Sequence, residues 1–289
     1  VVFMEGGNAM SNTPVINASE HAWTLHDPRF LIDPDISVCP KHEPDCEQTG
    51  ETLLARMLEC NVDRTVISHV CYYGRNNDYA THCVRTWPDR FAAIGLLVGH
   101  RLFSPQDGER NGERLRELVT TSGLAGLRLS PIYNRNERWL DDPVCDPLWT
   151  VAADVQATFN FFMAPEQLPQ LGAMAERHPG VNVVIDHFAM IDISRPDAEG
   201  IDRITDLARL PNVYVRTSLH NPSKEKAPPF RDMWPYLRRV YDAFGPQRLL
   251  WANFYEYLIM AEMIDFFTTQ DRRWILGGTA DRLYFGKQG

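Results

Sequence analysis

A chain of 289 residues is long enough to bury a large core, and its 44% hydrophobic and 23% charged residues are ordinary for a soluble globular protein. The net charge of −9 argues against nucleic acid or an anionic membrane as the main partner, because both need a basic face. No apolar run approaches the roughly 18 residues of a membrane span, and Val1–Ser11 lacks the pattern of a signal peptide. A small molecule is therefore the expected partner.

Eight short β-branched or apolar runs alternate along the chain with longer segments of helical periodicity. The predicted strands are Val15–Ala18, Arg64–His69, Phe91–Val98, Ala125–Ser130, Ala157–Met163, Asn182–His187, Val213–Ser218 and Arg248–Ala252. The predicted helices are Glu51–Cys60, Tyr79–Trp87, Gly108–Ser122, Asp146–Val155, Glu166–Arg177, Ala198–Leu210 and Asp232–Phe244. Because strands and helices alternate, the pattern predicts a parallel sheet, and eight units predict an α/β fold, a (β/α)8 TIM barrel that takes in residues 1–289 as one domain.

Residues 27–48, which follow the first predicted strand, are rich in Pro and Asp. They predict an irregular loop over the mouth of the barrel, where functional loops accumulate. A plain surface excursion is an equally good interpretation of the same composition.

The cysteines show no CxxC pair and no regular spacing of a disulfide scaffold. The six residues are Cys39, Cys46, Cys60, Cys71, Cys83 and Cys145. We therefore expect reduced thiols in a cytoplasmic protein.

Polar side chains occupy the carboxyl ends of the predicted strands. Residues i and i+2 of a strand share a face, so Ser19 and His21 should lie together after strand one. On strand six, the same alternation points His187 into the barrel and Asp186 toward the helices. The other polar residues at these ends are His69, Arg128, Ser130, Arg216 and His220. A lone histidine here is more often structural, but the convergence of several imidazole and guanidinium groups predicts a polar site.

Strand five carries large apolar side chains at alternate positions, namely Phe159, Phe161 and Met163. We interpret this face as packing inside the barrel. Stacking of these rings on a flat ligand is the alternative.

Several sequence segments, which run from near one end of the chain to the other, resemble those of a known protein family. They are VINASEHAW (Val15–Trp23), YGRNNDY (Tyr73–Tyr79), WPDRFAAIGLLV (Trp87–Val98), GLAGLRLS (Gly123–Ser130), PEQLPQLGAMAERHPGVNVVIDHF (Pro165–Phe188), NVYVRTS (Asn212–Ser218), FGPQRLLW (Phe244–Trp251) and WILGGTADRLY (Trp274–Tyr284). In this order and spacing they resemble the amidohydrolase-related family (amidohydrolase 2), in the branch of 2-pyrone-4,6-dicarboxylate lactonases and related decarboxylases.

The resemblance implies roles for individual positions. The family's HxH pair on strand one falls on Ser19 and His21, so that Ser replaces the first His. Its strand-four Arg, which holds a substrate carboxylate in the lactonases, falls on Arg128, and its strand-six His falls on His187. Its strand-eight Asp, which handles the proton of the attacking water, falls on Phe254.

The absent Asp has two interpretations. In the first, Glu256 replaces it from two positions along the chain. In the second, residues are missing from the sequence between Asn253 and Phe254, because only 23 positions separate Trp251 from Trp274. That spacing is short for the strand-eight loop and final helix of the family.

The resemblance thus implies hydrolysis of a cyclic ester, or of a related C–O or C–N bond, in a small carboxylated substrate. Arg128 would anchor the carboxylate, and His21 and His187 would polarise the scissile carbonyl. Glu256, or an unseen Asp, would activate water. The rest of the expected substrate-binding set is Ser19, as a hydrogen-bonding partner, with His69, Ser130, Arg216 and His220.

The cofactor expectation depends on Ser19, because a hydroxyl is a poor zinc ligand compared with imidazole. We expect no cofactor, or one divalent metal held by His21 and His187. Two other functions stay open, a metal-dependent decarboxylase of an aromatic acid and a non-catalytic binding barrel with a decayed site. A homodimer is also left open.

Overall fold

In the computed structural model, eight parallel strands form one sheet in chain order within the described residues, which are 13–32, 44–74, 76–97, 108–135, 138–195, 200–225 and 227–286. The strands are β1 (Ile16–Glu20), β2 (Arg64–Ser68), β3 (Phe91–Gly95), β4 (Gly126–Leu129), β5 (Thr158–Phe161), β6 (Asn182–Ile185), β7 (Val213–Arg216) and β8 (Leu249–Leu250). The backbone N–H of Ala18 donates to the carbonyl of Trp251 at 3.1 Å, where the sheet curls back toward its first strand. The predicted (β/α)8 barrel is confirmed as eight parallel strands in a nearly closed barrel.

Helices connect the strands on the outside of the barrel. In the described part of the chain they are α1 (Gly50–Glu59), α2 (Asp78–Thr86), α3 (Gly108–Thr120), α4 (Asp146–Asp154), α5 (Leu168–Arg177), α6 (Ile201–Asp206), α7 (Trp234–Phe244) and α8 (Thr269–Arg273). Polar side chains cap the N-termini of two of these helices. The hydroxyl of Thr49 accepts the N–H of Thr52 at α1, and Thr268 and Asp271 cap α8 reciprocally.

Two described segments border the predicted mouth loop, whose central residues 33–43 lie outside the described residues. Trp23 and Gln48 form an antiparallel bridge, in which the N–H of Trp23 donates to Gln48 at 2.8 Å. The two ends of the loop are thereby held together beside the end of β1.

The barrel interior carries small apolar and polar side chains, and the C-terminal segment closes its lower end. On β5 the inward residues are Thr158, which donates to the carbonyl of Leu283, and Asn160, which donates to the hydroxyl of Tyr284 at 2.8 Å. The prediction that the phenylalanines of β5 fill the interior is wrong. Phe159 and Phe161 instead pack on a helix-layer ring, that of Trp149, because the narrow interior of an eight-stranded barrel has little room for stacked rings.

The cysteines correct one expectation. Cys71 is disulfide-bonded, whereas free thiols are found at Cys46, Cys60, Cys83 and Cys145. The prediction of reduced thiols throughout is therefore wrong, and it no longer supports a cytoplasmic location. No helix in the described residues has the length and apolar character needed to cross a membrane.

Candidate active site

A cavity of about 280 Å³ opens at the carboxyl ends of the strands, the end at which barrel enzymes place their active sites. Its lining comes from β1, β4 and the segments that follow β1, β2, β4, β5, β6, β7 and β8. The lining residues are Ser19, Glu20, His21, Val70, Cys71, Arg128, Tyr133, Phe162, His187, His220, Asn221 and Asn253. Five residues selected from the sequence thus share one cavity: Ser19, His21, Arg128, His187 and His220.

Arg128 supplies the positive charge of the cavity wall, and side chains of the barrel interior fix its position. Its Nε donates to Asp186 at 3.3 Å, and its guanidinium carbon lies 4.8 Å from the ring centroid of Phe162. The other oxygen of Asp186 accepts from Arg216 at 2.6 Å. Burial works to raise the pKa of Asp186, but the charges of Arg216 and Arg128 outweigh it and lower that pKa. The three side chains form a fixed ionic unit that leaves one edge of Arg128 toward the cavity.

The prediction that Asp186 faces the helices is wrong, because Val183 and Ile185 pack with the helix layer while Val184, two positions before Asp186, lies in the separate interior cluster. The strand also ends two residues before its predicted end. β6 stops at Ile185, and Asp186 continues its inward face. His187 then begins a turn of four non-glycine residues with positive φ, with values of 51°, 52°, 49° and 54°. Such backbone is strained and is concentrated at functional sites. This turn brings His187 to the cavity, although the preceding residue, Asp186, lies in the barrel interior.

His187 presents a neutral imidazole. Burial lowers its pKa to about 3, with the charge of nearby Asp186 opposing that shift. Its Nδ1 is buried without a hydrogen-bond partner among the described residues. Its ring meets those of Phe162 and His220 edge-on, with centroids 5.9 and 6.5 Å away.

Ser19 and His21 both contact the end of β2. The hydroxyls of Ser19 and Ser68 are 3.0 Å apart. The Nδ1 of His21 lies 2.8 Å from the carbonyl of Ser68, and because a carbonyl only accepts, Nδ1 carries the proton. A neutral His21 therefore has its lone pair on Nε2, so polarising a carbonyl, as the sequence predicted, would require the protonated ring.

Glu20 is a site residue that the sequence reasoning missed. Strict alternation turns it away from Ser19 and His21, but the pairing of β1 with β2 shifts register between Asn17 and Glu20. Such an irregularity re-aims side chains. Burial raises the pKa of Glu20, while a hydrogen bond from Asn17 opposes the shift. The register shift follows from strand pairing, so no local sequence signal could have revealed it.

The segment after β8 contradicts one interpretation of its sequence, in which Glu256 takes the place of the strand-eight Asp in the cavity. The other interpretation, that residues are missing between Asn253 and Phe254, stays a prediction. Asn253 begins a turn closed by the N–H of Glu256, which donates to the Asn253 carbonyl at 2.9 Å. Asn253 lines the cavity, whereas buried Phe254 packs beneath Arg56, whose guanidinium carbon is 4.9 Å from its ring centroid. Glu256 is fully buried and binds His220 instead of lining the cavity.

Three residues of the predicted substrate-binding set lie away from the lining of this cavity in the described structure: His69, Ser130 and Arg216. Arg216 is fully buried against Asp186, so it supports the site from within the barrel. Burial lowers the pKa of His69 to about 4, and its ring stacks on Tyr73. The hydroxyl of Ser130 is buried without a partner among the described residues. Strand alternation predicts the face of the sheet on which a side chain lies, but not how far from the cavity it lies. For this reason the three residues differ from their predicted place in the cavity lining.

The donor set does not fit a catalytic zinc site. The position of the first imidazole of an HxH pair holds Ser19, whose hydroxyl bonds to Ser68, so His21 has no second imidazole beside it to complete the pair. Within the described residues no three His, Cys, Asp or Glu side chains are grouped to hold a metal ion.

Comparison with known proteins connects this geometry to a family. The family model described as "Amidohydrolase" matches residues 53–286, about four fifths of the chain. The chain belongs to the amidohydrolase family. It is 33% identical over 239 residues to an L-fucono-1,5-lactonase of Burkholderia ambifaria, covering 82% of this chain and 79% of that relative. It is 24% identical over 206 residues to a 4-sulfomuconolactone hydrolase of Hydrogenophaga intermedia, covering 70% of this chain and 63% of the relative.

Solved structures of the same architecture include enzymes of two reaction types. A probable 2-pyrone-4,6-dicarboxylic acid hydrolase from Acinetobacter baumannii, with bound citric acid, has a TM-score of 0.75 at 18% identity over 94% of this chain and 99% of the other. A zinc-bound amidohydrolase from Burkholderia multivorans has a TM-score of 0.70 at 19% identity over 94% and 99%. A 2,6-dihydroxybenzoate decarboxylase from Rhizobium has a TM-score of 0.67 at 16% identity over 96% and 100%. At these identities the likeness shows the fold alone.

Proposed function

We propose that this protein is a lactone hydrolase, in which water attacks the carbonyl carbon of a small cyclic ester bound in the cavity. The observation that carries the proposal is the guanidinium of Arg128, fixed at the cavity wall by Asp186 and Phe162. A charged donor held in this way recognises a carboxylate or an oxygen-rich ring edge through paired hydrogen bonds. The lactone-hydrolysing relatives named above support the same reaction.

The cavity volume favours a small substrate. At about 280 Å³ it lies at the lower limit of pockets that take drug-sized ligands, which span roughly 300–1,000 Å³. A six-membered lactone ring with a few oxygen substituents is of suitable size. We therefore propose sugar lactones and carboxylated lactones as the substrate class.

The neutral imidazole of His187 is proposed to polarise the carbonyl. Its Nδ1 is buried without a partner among the described residues, and we propose that Nε2 carries the proton offered to the cavity. An Nε2–H donor placed at the carbonyl oxygen stabilises the negative charge that develops there during water attack. His21 would serve as a hydrogen-bond acceptor for a substrate hydroxyl, since its Nδ1–H is already donated to Ser68.

The Arg128→Met variant tests this proposal with three lactones, L-fucono-1,5-lactone, 4-sulfomuconolactone and 2-pyrone-4,6-dicarboxylate. We expect kcat/KM to fall about 100-fold, and most for substrates that carry an anionic group, since the charged paired hydrogen bonds are lost. Arg238→Met, on the outer surface of α7, is the matched control, because its ion pair with Asp242 is exposed. Unchanged kcat/KM for every lactone that is hydrolysed would remove Arg128 from this role.

A metal-dependent decarboxylase is the alternative reaction, but its support is a fold likeness, and the donor set described above does not fit a catalytic zinc. We propose that the chain acts without a tightly bound metal and forms one domain over residues 1–289. A homodimer stays a prediction, which light scattering of the purified protein tests.

A further inference from the structure

His220 occupies a position that connects the cavity to a buried carboxylate. It follows β7 by four residues and lines the cavity, with 28% of its side chain exposed. Glu256, in the turn after β8, is fully buried behind it. The Nδ1 of His220 and Oε1 of Glu256 are 2.7 Å apart. Two strand ends thus contribute the two members of a histidine–carboxylate pair.

The hydrogen bonds of Glu256 fix the tautomer of His220. The carboxylate also accepts the backbone N–H groups of Leu219 and His220, each at 3.0 Å. Because an ionised carboxylate only accepts, the Nδ1 of His220 must carry the proton, which leaves the lone pair on Nε2. The amide nitrogen of Asn221 lies 3.0 Å from this Nε2 and donates to it, in agreement with that assignment. The amide nitrogen of Asn253 lies 3.2 Å from Nδ1, so the Asn253 amide must turn its oxygen toward Nδ1 when that nitrogen carries the proton.

We propose that His220 is the general base of the lactone hydrolysis proposed above, and that Glu256 is its positioning residue. This inference rests on that function. The Nε2 of His220 takes a proton from water as the water oxygen bonds to the lactone carbonyl carbon, whose π electrons move to the carbonyl oxygen. When the tetrahedral intermediate collapses, the ring C–O bond breaks and the departing oxygen takes the proton from Nε2. Lactone and water give one hydroxy acid, and the imidazole is regenerated.

The carboxylate distinguishes His220 from the other imidazoles of the cavity. His21 donates its Nδ1–H to a neutral carbonyl, whereas His220 donates to an anion that stabilises the imidazolium formed during proton transfer. His187 is kept neutral by burial. Asn221 must yield its place on Nε2 to the attacking water.

Other titratable groups surround His220 besides Glu256. The ring of Tyr255 lies 5.2 Å away, centroid to centroid, and that of His187 lies 6.5 Å away. The charge of Glu20 also acts on His220 from the end of β1. Glu20 lines the cavity and is therefore the rival candidate for the water-activating group.

Steady-state kinetics of His220→Gln and Glu256→Gln test the assignment on the lactone that the wild type hydrolyses fastest. For His220→Gln we expect kcat to fall about 1,000-fold with KM nearly unchanged, as for loss of a general base. For Glu256→Gln we expect a smaller loss, about 10-fold or more, confined to kcat with KM nearly unchanged, because the imidazolium formed during proton transfer loses its anionic partner. His178→Gln breaks the equivalent 2.8 Å pair with Asp146 outside the cavity and is the matched control.

A spectroscopic measurement tests the pair independently of turnover. In ¹⁵N NMR spectra of the wild type, His220 should show the Nδ1–H tautomer, and the Nε2–H tautomer would overturn the proposal.

A His220→Gln enzyme with near-wild-type kcat would also overturn the proposal, as would a loss of activity confined to Glu20→Gln. A wild type that hydrolyses none of the three lactones contradicts the proposed function, whereas an active wild type with an unaffected His220→Gln contradicts only the base assignment.

Discussion

The carboxylate of Asp186 lies 3.3 Å from the Nε of Arg128, so the guanidinium at the cavity wall is held from inside the barrel. The same carboxylate binds fully buried Arg216, and two cations therefore share one anion in the interior. Burial of this kind is tolerated only while the charges remain paired.

Asp186→Asn removes the shared anion and leaves two buried guanidinium groups without a counter-charge. We expect the free energy of unfolding to fall by about 3 kcal/mol or more, and KM for lactones to rise because Arg128 loses its support. Urea denaturation and steady-state kinetics measure the two effects. Asp242→Asn, which breaks the exposed pair with Arg238, should change neither, and an equally small effect of Asp186→Asn would contradict the account.

His69 should make stability depend on pH. In the unfolded chain it takes up a proton near its ordinary pKa of 6.5, but burial delays protonation in the folded protein until about pH 4. Between these values the unfolded state binds more protons, so stability falls as the pH falls. Between about pH 7.5 and 4.5 we expect the wild type to lose about 2 kcal/mol more than His69→Gln, as measured by urea denaturation. Equal losses in the two proteins would show that His69 is not the group responsible.

Metal removal should leave activity intact, because the donor set of the described residues lacks the ligands of a catalytic zinc. After dialysis against EDTA we expect the lactone hydrolysis rate to stay within about twofold of its starting value. Ser19→His, which restores an HxH pair with His21, should bind zinc more tightly than the wild type in equilibrium dialysis. Loss of activity on chelation, restored by added zinc, would contradict this interpretation.

Gly277 should be intolerant of any side chain. A Cβ at this position would lie 1.6 Å from the carbonyl oxygen of Pro14, which leads into β1. Gly277→Ala must therefore displace backbone at the lower end of the barrel, and we expect its melting temperature to fall well below that of the wild type. Gly180→Ala is the control, since its Cβ would meet Ala153 at an ordinary 3.5 Å. Equal melting temperatures for the two variants would count against the close approach.

Much of the fold could be predicted from the sequence because it depends on local patterns. The eight strands were marked by short apolar runs, and the helices between them by their periodicity. The bounds of α1 and α7 lie within about two residues of their predictions, which is the usual uncertainty of helix ends.

The side of the sheet on which an individual side chain lies was less predictable, because it depends on where a strand ends and on irregularities in strand pairing. The alternation of β6, with Val184 inward, places Asp186 inside the barrel, and the turn that follows Ile185 brings His187 to the cavity. A register shift in β1 brings Glu20 into the site. The Glu256–His220 contact joins segments 36 positions apart, and only the closed barrel brings them together.

The products formed in ¹⁸O-labelled water test the central claim most directly. The account predicts that the wild-type protein converts at least one of the three lactones to its hydroxy acid with one ¹⁸O atom in the new carboxylate, and that it releases no carbon dioxide from 2,6-dihydroxybenzoate. Release of carbon dioxide from that acid without lactone hydrolysis would contradict the account, and so would binding of the lactones without turnover.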